Sequence, residues 1–253
     1  MATTHHPSRR TLSSSLPSGQ LPPERPRDAE ERRLREEHIL DTTAALLVRF
    51  GYRKTTIDDV AREAGVGKGT IYLHWKDKNA LFRAAIWREQ QKFSEDIKQR
   101  IADDPEGGLL HRVTTHGVLA TLASPLIAAM FTGKSDIYSG ALGAYDPGYI
   151  NQLVSDADAY LVQLQNAGLV RGDLPVSLIT YLMTAIKVGI VYLPEILGQH
   201  HMPALPQLAE GLSDLMRRWL EPEQLPGDTE AGKESLNELL DKIKEPATTP
   251  AAP

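Results

Sequence analysis

The sequence predicts an all-α protein, and three observations support this fold class. Of the 253 residues, 41% are apolar and 6% are aromatic, which suffices for an ordinary hydrophobic core in one large or two modest domains. Apolar side chains recur at intervals of three and four residues along most of the chain, which is the spacing of one helix face. No convincing run of alternating β-branched residues marks a strand.

The N-terminal part is predicted to contain an arm and a long first helix. Residues 1–27 are rich in Pro, Ser and Arg, which indicates a disordered arm. A helix is expected from about Ala29 to Phe50, because apolar residues recur along one of its sides. Gly51 follows at a position where helices commonly stop.

Two short helices follow, joined by a glycine-containing turn. Thr56 and Asp59 form a capping-box pattern, in which a hydroxyl is followed three residues later by a carboxylate, so a helix is expected to begin there. This helix ends near Gly65. Another short helix begins after Val66 and runs to about Trp75, which is expected to face inward.

The rest of the chain is predicted to be helical, with a joint near residues 103–108. A longer helix is expected from Asp77, its N-cap, to about Ile101. Pro and Gly residues, Pro194 among them, mark the breaks between later apolar stretches. Helices are therefore expected near 107–123, 125–132, 149–167, 175–193 and 205–220. A Pro-, Glu- and Thr-rich tail begins after residue 221, with room for one small helix near 234–244.

The segment GVGKGT at residues 65–70 has the glycines and lysine of a phosphate-binding loop, but it matches neither nucleotide template. In a P-loop, Lys68 would be followed by Ser or Thr, and Gly69 stands there instead. A dinucleotide fingerprint would place its last glycine where Thr70 stands. Both templates also require a preceding strand, whereas residues 57–64 have helical spacing. A nucleotide-binding loop is therefore excluded.

Two short helices joined by a glycine turn fit a helix-turn-helix, which places its second helix in the major groove of DNA. Residues 55–82, TTIDDVAREAGVGKGTIYLHWKDKNALF, resemble the DNA-binding signature of the tetracycline-repressor (TetR) family of bacterial transcription regulators. The resemblance implies an N-terminal helix-turn-helix DNA-binding domain plus a C-terminal helical ligand-binding and dimerisation domain. It divides the chain into a disordered arm, a DNA-binding domain, an effector-binding and dimerisation domain, and a flexible tail, at 1–27, 28–78, 79–221 and 222–253.

The resemblance also assigns DNA-facing positions to residues in and around the two short helices. They are Thr55, Thr56, Gly67, Lys68, Gly69, Thr70, Tyr72, His74 and Lys78. Because Gly69 has no side chain to read a base, specificity is expected to rely on its neighbours and on DNA shape. Tyr72 could instead cover the helix surface, and His74 could pack or cap without touching DNA.

The charge distribution agrees with an anion-facing N-terminal part, although the net charge of the chain is −5. Residues 24–100 hold 17 Lys and Arg against 14 Asp and Glu, whereas residues 101–253 hold 9 against 19. Such an asymmetry suggests two separate roles, but merely solvated helix faces would also account for the small basic excess. Four arginines in the arm could enter a minor groove, or the arm takes no part: Arg9, Arg10, Arg25 and Arg27.

A single helix-turn-helix buries little DNA surface, so a specific site requires a two-fold dimer and a palindromic operator. The family resemblance implies a four-helix dimer interface, formed here by the helices near 175–193 and 205–220. Purely intramolecular packing of these helices is the alternative. The resemblance also implies an effector pocket in the C-terminal domain. Its occupancy moves apart the two helix-turn-helix domains of the dimer, residues 28–78 of each copy, which are called reading heads below.

Candidate pocket residues are polar or bulky side chains within otherwise apolar helices. They are His111, His116, Met130, Phe131, Tyr145, Tyr181, Thr184 and Lys187. Core packing would equally explain the aromatic and Met residues. Lys187 is the only charge in an apolar helix, and burial of an unpaired lysine is costly. It therefore meets an anionic ligand, pairs with Glu195 or another acid, or faces solvent.

The sequence thus predicts a ligand-responsive repressor that binds its operator DNA as a homodimer and is released by a small molecule. The alternatives are a helix-turn-helix protein without an effector, a nucleoid-associated or partner-binding module, and an activator. An enzyme is not expected, because His111 and His116 are five residues apart rather than four and no G-x-S-x-G segment occurs.

No cofactor or metal is expected, and neither is a membrane span. The chain has no cysteine, which excludes thiolate metal sites and fits a reducing cytosol. The N-terminus lacks an apolar stretch of signal length, and the longest apolar stretch, 175–193, is interrupted by Thr180, Thr184 and Lys187. The expected location is therefore the cytoplasm.

Overall fold

The computed structural model describes residues 26–132, 148–226 and 229–243, and every regular element in them is helical. A short 3-10 turn, Gln199–His201, precedes the ninth helix. The all-α fold class is confirmed. The helices are α1 Pro26–Lys54, α2 Ile57–Glu63, α3 Lys68–His74, α4 Lys78–Asp103, α5 Leu110–Ala123, α6 Pro125–Thr132, α7 Gly148–Asn166, α8 Val176–Leu197, α9 Leu205–Leu220 and α10 Glu230–Lys242.

Helix α1 begins earlier and ends later than the sequence suggested. Its first turns, residues 26–35, carry exposed ion pairs such as Arg27–Glu31 (3.1 Å), which add little stability because water screens them. The predicted stop at Gly51 is a kink inside the helix. There the backbone takes φ 78° and ψ 175°, a left-handed conformation that favours glycine.

The first hydrophobic core joins α1, α2, α3, the beginning of α4 and one residue of α6, Leu126. Tyr52 packs edge-to-face on Phe82, with 5.2 Å between the ring centroids. The core extends to Ile86, so the first turns of α4 pack against the helix-turn-helix. Its fully buried side chains include Ile39, Leu47, Val60, Ile71, Leu81, Phe82 and Ile86.

The second hydrophobic core lies among α5, α7, α8, α9 and α10, and it also receives the end of α4 through Ile97 and Ile101. Its fully buried side chains include Leu110, Leu164, Leu169, Ile179, Met216 and Leu220. Burying each such side chain contributes roughly 1.5–3 kcal/mol. Helix α4 therefore carries apolar side chains into both cores.

Pro194 was expected to end a helix, but α8 continues through it to Leu197. Proline removes one backbone donor and usually kinks a helix. Here it lies in the last turn, where the Gly198 amide still donates to the Pro194 carbonyl at 3.1 Å. The helix ends at Gly198, whose φ of 92° is in the left-handed region.

The small helix expected near 234–244 within the C-terminal tail is present as α10, Glu230–Lys242, and it packs against the rest of the protein. The apolar side chains Leu236 and Leu240 of α10 are buried in the second core. A Cβ atom on Gly232 would lie 2.0 Å from the carbonyl oxygen of Gly108, so the two backbones are in direct contact. This contact joins α10 to the α4–α5 joint.

Helix α8 is long and apolar enough to cross a membrane, judged by length and composition only. The most apolar window of α8 has a mean hydropathy of 1.8, and 11% of that window is buried within the described protein. Its exposed apolar side chains include Leu178, Tyr181, Tyr192, Leu193, Ile196 and Leu197. The helix also packs against α5, α6 and α7, so one face belongs to the bundle while another lacks a cover within the described chain.

Replacement of Gly232 by alanine is expected to lower the free energy of unfolding by about 1–3 kcal/mol, because the added methyl group overpacks the contact with Gly108. Urea unfolding would measure the change. Gly117→Ala is the matched control, since a Cβ there meets nothing within 4 Å and alanine in a helix should add about 0.5–1 kcal/mol. Equal effects of both substitutions would contradict the docking of α10.

Candidate nucleic-acid interface and ligand cleft

The start of α2 is held by a complete capping box. The Thr56 hydroxyl accepts from the Asp59 amide at 3.2 Å, and an Asp59 carboxylate oxygen accepts from the Thr56 amide at 3.0 Å. Hydrogen bonds from the Thr56 hydroxyl and from Arg62 hold the pKa of Asp59 below its usual value. The exposed Thr56 therefore caps α2, as the sequence predicted.

The turn between α2 and α3 depends on one glycine. Gly65 has φ 65°, and the amide of Val66 donates to the Ala61 carbonyl at 2.9 Å, which closes α2. Gly67 then precedes α3 in an extended conformation and provides no side-chain cap. Only a residue that tolerates positive φ suits position 65, which explains one of the three glycines around Lys68.

Packing fixes which face of α3 points outward. Ile71 is fully buried and Trp75 nearly so, which confirms the predicted inward face. On the opposite side, Tyr72 is 53% exposed and Leu73 is 84% exposed. Leu73 was not among the predicted contacts, although its position four residues after Gly69 places it on the outward face of the helix.

Lys68 and Thr70 lie in the exposed first turn of α3, together with Gly69. The Lys68 ammonium forms an ion pair with Asp58 of α2, and both side chains are more than half exposed. Exposed ion pairs contribute only about 0–1 kcal/mol, so this lysine exchanges its partner easily.

Thr55 does not belong with the outward residues, and its predicted role in DNA contact is corrected. It is 1% exposed, and its hydroxyl donates to the Gly51 carbonyl at 2.8 Å and approaches that of Leu46 at 3.3 Å. The side chain is therefore used to hold the end of α1 and cannot reach a phosphate.

His74 and Lys78 are more engaged with the protein than the resemblance implied. The His74 side chain is 14% exposed and lies 3.8 Å from Glu36, with its ring 5.2 Å from that of Trp75. The ammonium group of Lys78 donates to the Arg53 carbonyl at 3.4 Å and lies over two aromatic rings. Lys78 thereby connects the end of α1 to the beginning of α4.

Among the predicted pocket residues, His111 is committed to a buried network. Its Nδ1 lies 2.7 Å from a Glu221 carboxylate oxygen, which also accepts from the His111 amide at 3.0 Å. Arg217 lies 3.2 Å from Nε2. Since arginine only donates, Nε2 accepts and Nδ1 carries the proton. Both ring nitrogens are used within the protein, and His111 lines a small cleft of about 380 Å³ together with Arg112 and Arg217.

His116 is committed in a similar way, through the joint between α4 and α5. Its Nε2 lies 2.8 Å from Asp104, which also accepts from Arg112 at 2.5 Å. Burial alone raises the pKa of Asp104, but the hydrogen bonds from His116 and Arg112 outweigh it and lower that pKa. This cluster stabilises the joint and leaves His116 outside any described cleft.

The other pocket candidates do not converge. Met130 packs against the first core, Tyr181 is 73% exposed, and Thr184 is exposed on α8. The side chain of Phe131 and the whole of Tyr145 lie outside the described residues. The predicted set is therefore not a single site in the part of the chain that the structure describes.

Lys187 is half-buried on α8, with its ammonium group 5.6 Å from the centre of the Phe93 ring. Burial lowers the pKa of Lys187 from its ordinary value of 10.5 to about 8.

A large cleft instead opens between the C-terminal end of α1 and helices α5, α6, α8 and α9. Its volume is about 1350 Å³, and its lining includes Arg53, Leu122, Ala128, Val191 and Met202. None of the described pocket candidates lines this cleft. The sequence did not indicate it because its walls come from six separate helices, with Arg100 contributed by α4.

The capped α2, the glycine turn and the outward face of α3 together form a helix-turn-helix in an all-α protein. Docking of the second helix in a major groove is the ordinary use of this arrangement. The geometry therefore defines the class as a helix-turn-helix DNA-binding protein. In the described residues, no group of three or more His, Asp or Glu side chains could hold a metal ion.

Residues 39–85 match the family described as bacterial regulatory proteins, tetR family. The chain is 48% identical over 85 residues to the uncharacterised regulator YhgD of Bacillus subtilis (strain 168), covering 34% of this chain and 42% of that protein. It is 42% identical over 60 residues to the regulator AcrR of Shigella flexneri, covering 24% and 26%. Residues 39–85 therefore form a DNA-binding domain of the TetR family type.

The chain spans less than half of the length of these two curated relatives, and the matches are to regulators rather than enzymes. Beyond the DNA-binding domain, the likeness is one of fold. The crystal structure of the regulator FadR from Bacillus subtilis in complex with stearoyl-CoA covers 71% of this chain and 96% of its own, with a TM-score of 0.54 and 17% identity.

Substitution of Lys187 by methionine is expected to raise the free energy of unfolding at pH 7, on the order of 1–3 kcal/mol, because the buried cation is removed. Above pH 8 the folded protein loses this proton before the unfolded chain does, so the stability of the wild type rises with pH. The advantage of Lys187→Met should therefore shrink by about pH 9.5. Denaturant unfolding of the wild type and the variant at pH 7 and at about pH 9.5 measures the difference in their free energies of unfolding. A constant difference would show that lysine burial is not the cause.

Proposed function

We propose that the protein is a ligand-responsive transcriptional repressor that binds a palindromic operator as a homodimer and is released from it by a small molecule. The observation that carries this proposal is the outward face of α3, which has a glycine that the fold itself does not require. Its location in the cytoplasm, where the DNA is, follows from the same proposal.

Gly69 supports a close approach of DNA to α3. A Cβ atom at this position would meet no protein atom within 4 Å, and its φ is not in the left-handed region. Glycine inside a helix costs roughly 0.5–1 kcal/mol relative to alanine. A residue that weakens the helix without serving the fold is explained if the space above it is filled by a DNA backbone.

The neighbours of Gly69 supply the chemistry for that contact. Lys68 has an exposed ammonium group that can exchange Asp58 for a phosphate, and Tyr72 has an exposed hydroxyl that can donate to one. Thr56 is exposed at the start of α2, and its hydroxyl would exchange the hydrogen bond that it donates to Asp59 for one to a phosphate. Leu73 is placed to make an apolar contact in the groove.

A second copy of the chain is the proposed cover for the exposed face of α8. This helix contains Lys187 at its centre and is packed on α5, α6 and α7, which is incompatible with insertion into a bilayer as an isolated span. Leu205 and Leu215 of the neighbouring α9 add exposed apolar surface. A two-fold axis beside α8 would bury this surface on both copies at once and pair two reading heads on one operator.

An effector is proposed because a cleft exists in the body that carries the reading head and because a structural neighbour, FadR, was crystallised with stearoyl-CoA. A ligand releases the operator only if it binds the DNA-free shape of the dimer more tightly than the DNA-bound shape. Repression is the simplest use of such a ligand, since operator occupancy is then lost when the ligand arrives.

Selection of bound DNA from random oligonucleotides tests the function directly. The expected result is an enriched inverted repeat with two equivalent half-sites. Strongly salt-dependent binding without sequence enrichment would favour the nucleoid-associated alternative instead.

Substitution of Gly69 by alanine is expected to separate stability from DNA binding. The free energy of unfolding of the variant should be about 0.5–1 kcal/mol higher than that of the wild type, because alanine favours the helix. Its affinity for the selected operator should fall at least about tenfold, because the methyl group obstructs close approach. Gly117→Ala on α5 should gain similar stability with unchanged affinity. The free energy of unfolding and the operator affinity are measured on the same preparations. Unchanged operator affinity of Gly69→Ala would disprove the close approach of DNA to α3.

Introduction of glutamate at Tyr181 and Ile196 is expected to convert the dimer into a monomer, because like charges would face each other across the two-fold axis. Analytical ultracentrifugation measures the molecular mass. The control replaces Val154 and Val162, which are also exposed but lie on α7, and should remain dimeric. A monomeric wild type, or a variant that stays dimeric, would disprove this interface.

A further inference from the structure

The cleft beside the end of α1 has strongly unequal charges. Four of its lining residues, Arg49, Arg53, Lys54 and Arg100, are cations, whereas Glu195 is the only acid among the described lining residues. Arg100 is paired with Asp96 of its own helix at 2.9 Å, and the other three cations lie close together along the chain. All three belong to the last turns of α1. An anionic group is the chemistry that this end of the cleft favours.

The remaining wall is apolar. It includes Leu119 and Leu122 of α5, Ala128 of α6, Val191 of α8 and Met202 before α9. A volume of about 1350 Å³ exceeds the roughly 300–1000 Å³ of most small-molecule pockets, so a long or bulky apolar group has room.

We propose that this cleft binds an amphipathic organic anion, with its acidic head on Arg49, Arg53 and Lys54 and its apolar part along α5, α6 and α8. This inference rests on the proposed function, since it assigns a chemical class and a place to the effector. It also moves the effector site from the interior of the C-terminal domain to its boundary with the reading head.

The position of the charged end explains how a ligand bound there affects the orientation of the reading head. Gly51 lines the cleft, and its carbonyl accepts the hydroxyl of the buried Thr55. The carbonyl of Arg53 accepts the ammonium group of Lys78, at the start of α4. Thr56, the cap of α2, follows directly in the chain. A ligand held by the end of α1 thus acts on the segment that orients α2 and the beginning of α4.

Isothermal titration calorimetry with decanoate and decan-1-ol tests the proposal on the full chain without DNA. The two probes have the same tail and differ in the anionic head. Decanoate is expected to bind at least about tenfold more tightly than the alcohol. The double variant Arg49→Gln with Lys54→Gln should lose about tenfold in decanoate affinity and retain its affinity for the alcohol. Lys92→Gln with Lys242→Gln removes the same charge from exposed sites outside the cleft and should change neither.

A second pair of variants tests the apolar wall. Ala128→Trp should fill the cleft and abolish binding of both probes, whereas Ala159→Trp on the exposed side of α7 should bind as the wild type does. Far-ultraviolet circular dichroism and the unfolding midpoint establish that each variant is folded. If Ala128→Trp is unfolded, the test of the proposal is the difference in decanoate affinity between the cleft double variant, Arg49→Gln with Lys54→Gln, and its control double variant.

The outcomes separate the ligand from the operator. Any one of three results overturns the proposal. Decanoate shows no saturable binding, or it binds with the same affinity as decan-1-ol, or its affinity is unchanged in the Arg49 and Lys54 variant. Loss of operator affinity in that variant, with decanoate binding unchanged, would assign these cations to DNA phosphates instead. Decanoate binding that follows the expected pattern in a protein that selects no operator would leave the cleft assignment standing and disprove the proposed function.

Discussion

Helix α4 carries apolar side chains into two hydrophobic cores, and the rest of the structure depends on this shared helix. Leu81, Phe82 and Ile86 pack with the helix-turn-helix, while Ile97 and Ile101 pack beneath α5. Because protein interiors are close-packed, a displacement of α4 at one end must be accommodated at the other. The cap at Asp77 and the contact from Lys78 to the Arg53 carbonyl attach the beginning of this helix to the reading head. Helix α4 thereby connects the two hydrophobic cores.

The reading head divides its residues between folding and contact. Ile71, Trp75 and the capping box hold α2 and α3 in place, and Gly65 provides the turn. Lys68, Gly69, Tyr72 and Leu73 contribute little to the core and lie outward, which supports their use in binding another molecule. The cleft at the end of α1 borders the same unit, so a ligand there and DNA on α3 would compete through the position of a few turns of helix rather than by direct overlap.

Local signals were reliable where the physical cause is local. The capping box at Thr56, the turn at Gly65 and the cap at Asp77 depend on residues within a few positions, and all three were predicted. Thr55 was assigned to DNA by the family resemblance, but its hydroxyl is satisfied by carbonyls of α1, which no local pattern indicates. The small helix near 234–244 was expected, but its packing through Leu236 and Leu240 depends on the second core and has no local signal.

The sequence by itself determined the helical fold and the reading head, because spacing, caps and turn residues act over short distances. Tertiary structure alone decided which polar residues remain available. His111 and His116 are satisfied by Glu221 and Asp104, which lie 110 and 12 residues away. The same long-range packing collects the cations of α1 beside the apolar surfaces of α5, α6 and α8. A site built from distant helices has no local signature, since its members share only a position in space.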